Sequence, residues 1–189
     1  MPGCRALNDT EIEEIKQQFV RQRDRCFFVV ANRTGLRVSE LLSLKVKHVY
    51  KFDKIVDALK LTKDQVKGKR VGTEIVLHSD AKAEIQTLLD ELPEIDPEHY
   101  LFKSRKGKNR PISRVQAWYI LKGITNEMEL QGKIATHSCR KTFAWKFYKK
   151  SGHDLRSTQK ALRHEFIETT IKYLDPDQKD VDKTILEMT

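Results

Sequence analysis

The sequence predicts a mainly α-helical chain with one small antiparallel β-sheet, an α+β arrangement in a single domain. Three observations lead there. Apolar residues recur at three- and four-residue spacing along most of the 189 positions. Period-two alternation is confined to the region 54–78. No internal repeat, low-complexity tract or Pro/Ser-rich linker divides the chain. With 39% hydrophobic and 33% charged residues, there is enough apolar material for a packed core and too much for a disordered chain.

The elements follow in order. Thr10-Glu11-Ile12-Glu13 fits a capping box, with Ile12, Ile15 and Phe19 then at helical spacing. A second apolar helix covers about 24–32 and breaks near Gly35, and Ser39 can cap a short helix bearing Leu41, Leu42 and Leu44. Lys54–Thr62 and Thr73–His78 read as two strands around a Lys/Gly turn at 67–72. Asp80 can cap a helix whose Ile85, Leu88, Leu89 and Leu92 form one stripe ending at Pro93. Tyr100-Leu101-Phe102 is a candidate third strand. Ser113-Arg114-Val115-Gln116 opens a helix to about Leu130, stopped near Gly132. Helices are expected at about 138–150, 155–163 and 167–174, and beyond Pro176 the residues Val181, Ile185 and Met188 keep helical spacing.

Composition also bounds the setting. Cys4, Cys26 and Cys139 are three in number and lack CxxC spacing, so neither a disulfide framework nor a cysteine zinc site is expected. No run approaches the roughly 18 apolar residues of a membrane span, and no apolar stretch follows Met1-Pro2-Gly3-Cys4-Arg5 as a secretory signal would require. A soluble, cytoplasmic, basic domain is the expectation. The net charge of +9 is concentrated: residues 101–150 hold thirteen basic side chains against two acidic ones. The densest part is Lys103, Arg105, Lys106, Lys108, Arg110 and Arg114, a surface suited to the phosphates of DNA, RNA or an anionic membrane, or to solvation alone.

Several phosphate-handling residues stand in order: Arg37, Lys67, His137, Arg140, His164 and Tyr173. Two guanidiniums can grip a phosphodiester and neutralise the charge that grows in its transition state. Histidines donate to phosphate or move protons near neutrality. A lysine can protonate a leaving alkoxide, and a tyrosine becomes a usable nucleophile where cations stabilise its phenolate. No carboxylate cluster suggests a two-metal reaction, so neither metal nor cofactor is expected. Each residue also has an ordinary structural role open to it, from helix-end histidine to half-buried tyrosine.

The order and context resemble the catalytic domain of tyrosine recombinases, the phage-integrase family that includes the Xer and Cre enzymes. Thr34-Gly35-Leu36-Arg37-Val38-Ser39-Glu40-Leu41 is similar to the first arginine box, His137-Ser138-Cys139-Arg140-Lys141-Thr142-Phe143 to the H-x-x-R box, and Leu162–Leu174 to the later histidine and nucleophilic tyrosine. The resemblance implies that fold, and site-specific recombination or integration through a 3′-phosphotyrosyl intermediate. Tyr173 would be the nucleophile, and Arg37 and Arg140 the phosphate ligands. His137 and His164 would bond the phosphate and manage the tyrosine proton. Lys67 would be the general acid, with Lys63 as the alternative, and Glu40 would orient the arginine box. Lys141 joins the basic loop as a DNA-contact candidate. Arg163 departs from the pattern, standing where the family has glycine, and adds a cation beside the site.

The arginine box comes only 37 residues in, so the N-terminal core-binding domain of many relatives is expected to be absent. The chain then reads as 1–189, one catalytic domain, either cut from a longer protein or acting alone. The resemblance further implies tetramers on DNA, with a monomer in its absence, and residues 176–189 packing on the next protomer or back on their own domain. Type IB topoisomerase chemistry and a non-catalytic DNA-binding module are the alternatives.

Overall fold

The computed structural model describes residues 3–62, 73–174, 182 and 185–188. Its first helix, α1 (Asp9–Gln18), is capped two residues before the expected Thr10. Asn8 is the cap: its Oδ1 accepts from the Glu11 backbone N–H at 2.8 Å, and Glu11 Oε2 accepts from the Asn8 N–H at 2.9 Å. Asn caps better than Thr, and Arg5 holds the Glu11 carboxylate in place from the other side, NH1 to Oε2 at 2.8 Å.

The second helix, α2 (Gln22–Thr34), is the centre of the fold. Phe27, Phe28, Val29, Val30 and Ala31 are all buried, so it is covered on every side. It stops at Gly35, whose φ of 57° is left-handed and whose N–H returns to the Ala31 carbonyl at 3.2 Å. A Cβ on Gly35 would collide with the Phe143 ring. Two short helices follow, α3 (Val38–Leu42) and α4 (Val46–Val49). Ser39 lies within α3 rather than capping it. The cap position is Arg37, because the Glu40 carboxylate takes the Arg37 N–H.

The expected first strand divides in two. Phe52 and Asp53 both take positive φ, 51° and 57°, and turn β1 (Tyr50–Lys51) back on β2 (Lys54–Ile55). A separate antiparallel pair joins β3 (Ala58–Leu61) to β4 (Thr73–Val76), with Leu59 opposite Ile75. The next helix, α5 (Ser79–Asp90), is capped by His78, whose ring nitrogen accepts from the Asp80 N–H at 3.2 Å. Asp80, the expected cap, is drawn off by an ion pair with Arg33. Buried Ala81, Ile85, Leu88 and Leu89 seat α5 on α2.

Tyr100–Phe102 is not a strand: Tyr100 makes an isolated bridge to Lys45, and the residue after the segment, Lys103, makes one to Pro111. They pin the ends of the basic loop. Ser113 then caps α6 (Arg114–Glu127), Oγ accepting from the Gln116 N–H at 3.0 Å; the helix ends three residues before the expected limit, at a Glu129 turn with φ of 52°. The remaining helices match their expected places: α7 (Thr136–Lys150), α8 (Leu155–Leu162) and α9 (Ile167–Tyr173).

The main core gathers α1, α2, the strand pairs, α5 and α6. A small second cluster, Ala144, Leu162 and Leu174 with Trp145, Tyr148 and Leu155, joins α7, α8 and α9. Among the described residues all three cysteines are free, and no helix is long and apolar enough to cross a membrane. Ile185, Leu186 and Met188 are exposed. Val181 lies outside the described residues.

Gly35 both turns the chain and lies against a ring, so Gly35→Ala is expected to destabilise the protein by more than about 1 kcal/mol. Urea denaturation of the two proteins checks this.

Candidate active site

Arg140, in the second turn of α7, is the largest fully buried side chain among the described residues, 1% exposed. Its NH1 donates to the Gly35 carbonyl at the end of α2, and its NH2 donates to the Leu162 carbonyl at the end of α8 at 2.6 Å. Its Nε has no hydrogen-bond partner. Burial, then the neighbouring Arg37 charge, pushes its pKa down to about 10. At neutral pH the guanidinium is therefore charged, tied at two points by neutral carbonyls, and still under-neutralised. Such a group attracts an anion.

Glu40 is the carboxylate within reach. Its side chain, 1% exposed, accepts from the Arg37 N–H at 2.8 Å and from Arg37 NH1 at 2.9 Å. Arg37 itself keeps a side-chain exposure of 29%, so its guanidinium is oriented from below and open above. Arg163 NH2 lies 3.5 Å from the second Glu40 oxygen. Three guanidiniums around one carboxylate leave an excess of two positive charges at the bottom of the site.

Tyr173, the last residue of α9, stands in this field. Its hydroxyl and His137 Nε2 are hydrogen-bonded. Its ring lies 5.2 Å from the His137 ring and 4.9 Å from the His164 ring, with the Arg140 guanidinium carbon 5.9 Å above it. Burial raises the Tyr173 pKa, while Arg140 and Arg37 work to lower it. His137 has its pKa lowered by burial, then by Arg140 and Arg37, so the neutral imidazole dominates at pH 7 and can accept the phenolic hydrogen. His164 is pushed down to about 4, by burial first and then by the arginines. Its Nδ1 and Thr170 Oγ1 are 3.0 Å apart, which fixes the ring against α9.

The fold thus brings Arg37, His137, Arg140, His164 and Tyr173 together from four separate segments. Lys67 and Lys63 lie outside the described residues. Arg105, Lys106, Lys108, Arg110 and Arg114 are exposed, while Lys103 and Lys141 are half-buried. Sequence reasoning did not identify Thr170, or the carbonyls of Gly35 and Leu162. Backbone acceptors leave no residue signature, and a lone threonine is too common to single out.

The Phage integrase family profile matches residues 5–180. The probable integrase/recombinase YoeC of Bacillus subtilis (strain 168) is 33% identical over 170 residues, covering 89% of this chain and 87% of that one. Tyrosine recombinase XerD of Listeria monocytogenes serotype 4b is 32% identical over 157 residues, 80% of this chain, which spans only 49% of XerD. Among solved structures, XerA recombinase superposes over 99% of this chain and 64% of its own with a TM-score of 0.77 at 21% identity. The post-cleavage complex of XerH bound to palindromic difH substrate superposes over 95% of this chain and 51% of its own with a TM-score of 0.71 at 23% identity.

The depressed His164 pKa carries a stability consequence. The unfolded chain, with an ordinary value of 6.5, binds a proton that the folded ring takes up only near pH 4. Stability from this group is therefore full above pH 6.5 and lost progressively as pH falls to about 4. His164→Gln is expected to flatten the acid limb of the stability–pH curve in that window, as read by urea denaturation at stepped pH.

Proposed function

The chain belongs to the phage integrase family, whose enzymes break and rejoin DNA, and from that premise we propose that Tyr173 is the nucleophile of a site-specific recombination reaction. The observation that carries this reading is the Tyr173 hydroxyl hydrogen-bonded to a neutral His137, beside Arg140 and Arg37.

The reaction needs no outside source of energy. Tyr173 Oη attacks the scissile phosphorus, the bond from phosphorus to the 5′ oxygen breaks, and the strand is held as a 3′-phosphotyrosine with a free 5′-hydroxyl. His137 receives the phenolic proton. The leaving 5′ oxygen takes a proton from Lys67, or from Lys63. Arg37 and Arg140 bind the non-bridging oxygens and stabilise the added charge of the transition state. His164, neutral at working pH, donates a hydrogen bond to phosphate from Nε2 while Thr170 holds Nδ1. Attack of a 5′-hydroxyl on the phosphotyrosine reverses the chemistry, and attack by a hydroxyl from another duplex gives exchange.

Double-stranded DNA is the proposed substrate. The exposed loop cations Arg105, Lys106, Lys108, Arg110 and Arg114, with Lys103 and Lys141, are the proposed phosphate contacts. The exposed Ile185, Leu186 and Met188 support the tail as a contact between protomers, in tetramers assembled on DNA. The chain spans about half the length of the Xer relatives it matches and 87% of YoeC.

A pool of nicked duplexes of randomised sequence tests the reading. A nick beside the scissile bond releases a short 5′-hydroxyl strand and traps the adduct. In EDTA, wild-type protein is expected to form an SDS-resistant complex and Tyr173→Phe none; an equal yield from both proteins would move the nucleophile elsewhere. Arg37→Ala, at a half-buried position, is expected to slow adduct formation by about 10² to 10³. The wild-type rate should hold level across neutral pH and fall only on the acid side, at a pH below the ordinary histidine value of 6.5, as His137 is protonated. A rate that instead rose with pH up to the ordinary tyrosine range would remove His137 as the base.

A further inference from the structure

Arg163 ends α8 with φ of 57° and ψ of 39°, the left-handed conformation that glycine takes without cost and arginine does not. The turn itself is complete: the Arg163 N–H reaches the Lys160 carbonyl and the His164 N–H the Gln159 carbonyl, both at 3.1 Å. Nothing in that backbone pattern calls for a long cationic side chain. An unfavourable conformation kept at an active site points to what the side chain does.

The side chain turns inward, only 11% exposed. Its NH2 sits 3.5 Å from Glu40 Oε2 and 3.4 Å from the Gly35 carbonyl, and its NH1 sits 3.3 Å from the Ala161 carbonyl. Glu40 orients Arg37, and the Gly35 carbonyl is one of the two tethers of Arg140. Arg163 therefore touches the holder of each phosphate arginine while lying beneath both. Its positive charge also balances Glu40, which would otherwise cancel much of the field of Arg37.

We propose that Arg163 is a positioning residue, bracing Glu40 and the Gly35 carbonyl so that Arg37 and Arg140 stand ready as a pair for an oxyanion. This rests on the phosphate-binding reading given above. Without the brace, the site keeps both arginines but loses one of its two excess positive charges and the fixed partner on the outer face of Glu40.

The test uses the full chain and orthovanadate, an oxyanion that needs no DNA sequence. Arg163→Gly relaxes the backbone while removing the brace, so its Tm is expected to equal or exceed the wild-type value. Its vanadate affinity by calorimetry is expected to fall about tenfold, the scale of one charge-assisted contact. On trapped duplex, the cleavage rate at saturating DNA should fall similarly while DNA affinity, carried by many phosphate contacts, stays within about threefold. Because the brace acts partly through Glu40, adding Arg163→Gly to Glu40→Gln should weaken vanadate binding further by clearly less than the tenfold lost in the single variant. Unchanged vanadate affinity in Arg163→Gly would overturn the inference, as would a full tenfold further loss in the double variant. A lower Tm that accounts for the loss would do the same. A wild-type protein whose vanadate affinity depends on Arg163 but which forms no DNA adduct would sink the recombinase reading alone.

Discussion

The buried guanidinium of Arg140 is the constraint on which the site depends. It is tied to the carbonyl that closes α2 and to the carbonyl that closes α8. Those two helix ends belong to different parts of the core, so one side chain sets the distance between the first arginine segment and the later histidine segment. A buried ion is expensive unless its donors are used, and here one donor, Nε, remains unmatched. In the proposed reaction a phosphate at this position would supply the missing acceptor. The left-handed Gly35 belongs to the same arrangement, since only a sharp turn without a Cβ presents its carbonyl to Arg140 under the Phe143 ring.

The same cations decide what the neighbouring groups can do. In a site with more positive than negative charge, protonated imidazoles are disfavoured twice, by burial and by repulsion. Both histidines are therefore neutral at pH 7, and their roles separate by partner. His137 faces the tyrosine hydroxyl and can accept, whereas His164 is held through Nδ1 by Thr170 and presents its other nitrogen. Tyr173 feels the opposite pulls of burial and positive charge. A phenolate formed next to Arg140 is stabilised there without needing water.

Much of this was legible in the sequence because the informative features are local. The stripe of α5 buries Ile85, Leu88 and Leu89 as its spacing requires, and the candidate set Arg37, His137, Arg140, His164 and Tyr173, chosen from order and context, is a set the fold brings together. The misplaced details depend on tertiary choices. Asp80 and His78 could each cap α5, and the Arg33 ion pair decides between them. Thr10 and Asn8 could each cap α1, and Arg5 decides by fixing Glu11. The 54–62 segment alternates like one strand, yet its first two residues are taken by the tight Phe52-Asp53 turn. Arg163 was visible as a departure, but its contact with Glu40 spans 123 positions and needs the folded chain.

Tyr173, the proposed nucleophile, is held in a different way from the arginines. α2 and α7 are fixed by the main core, whereas α9 buries only Thr170 of its own residues and leaves Phe166 and Ile171 exposed. Leu174 ties its end to the small second cluster. A helix with so little apolar area covered costs little to shift locally. What fixes Tyr173 is then mostly polar: Thr170 to His164, and the hydroxyl to His137. Those are the bonds that proton transfer and phosphate binding would rearrange. The arginines form a rigid cradle, and Tyr173 sits on a lightly anchored arm whose rest position depends on the two polar bonds that the proposed chemistry would use.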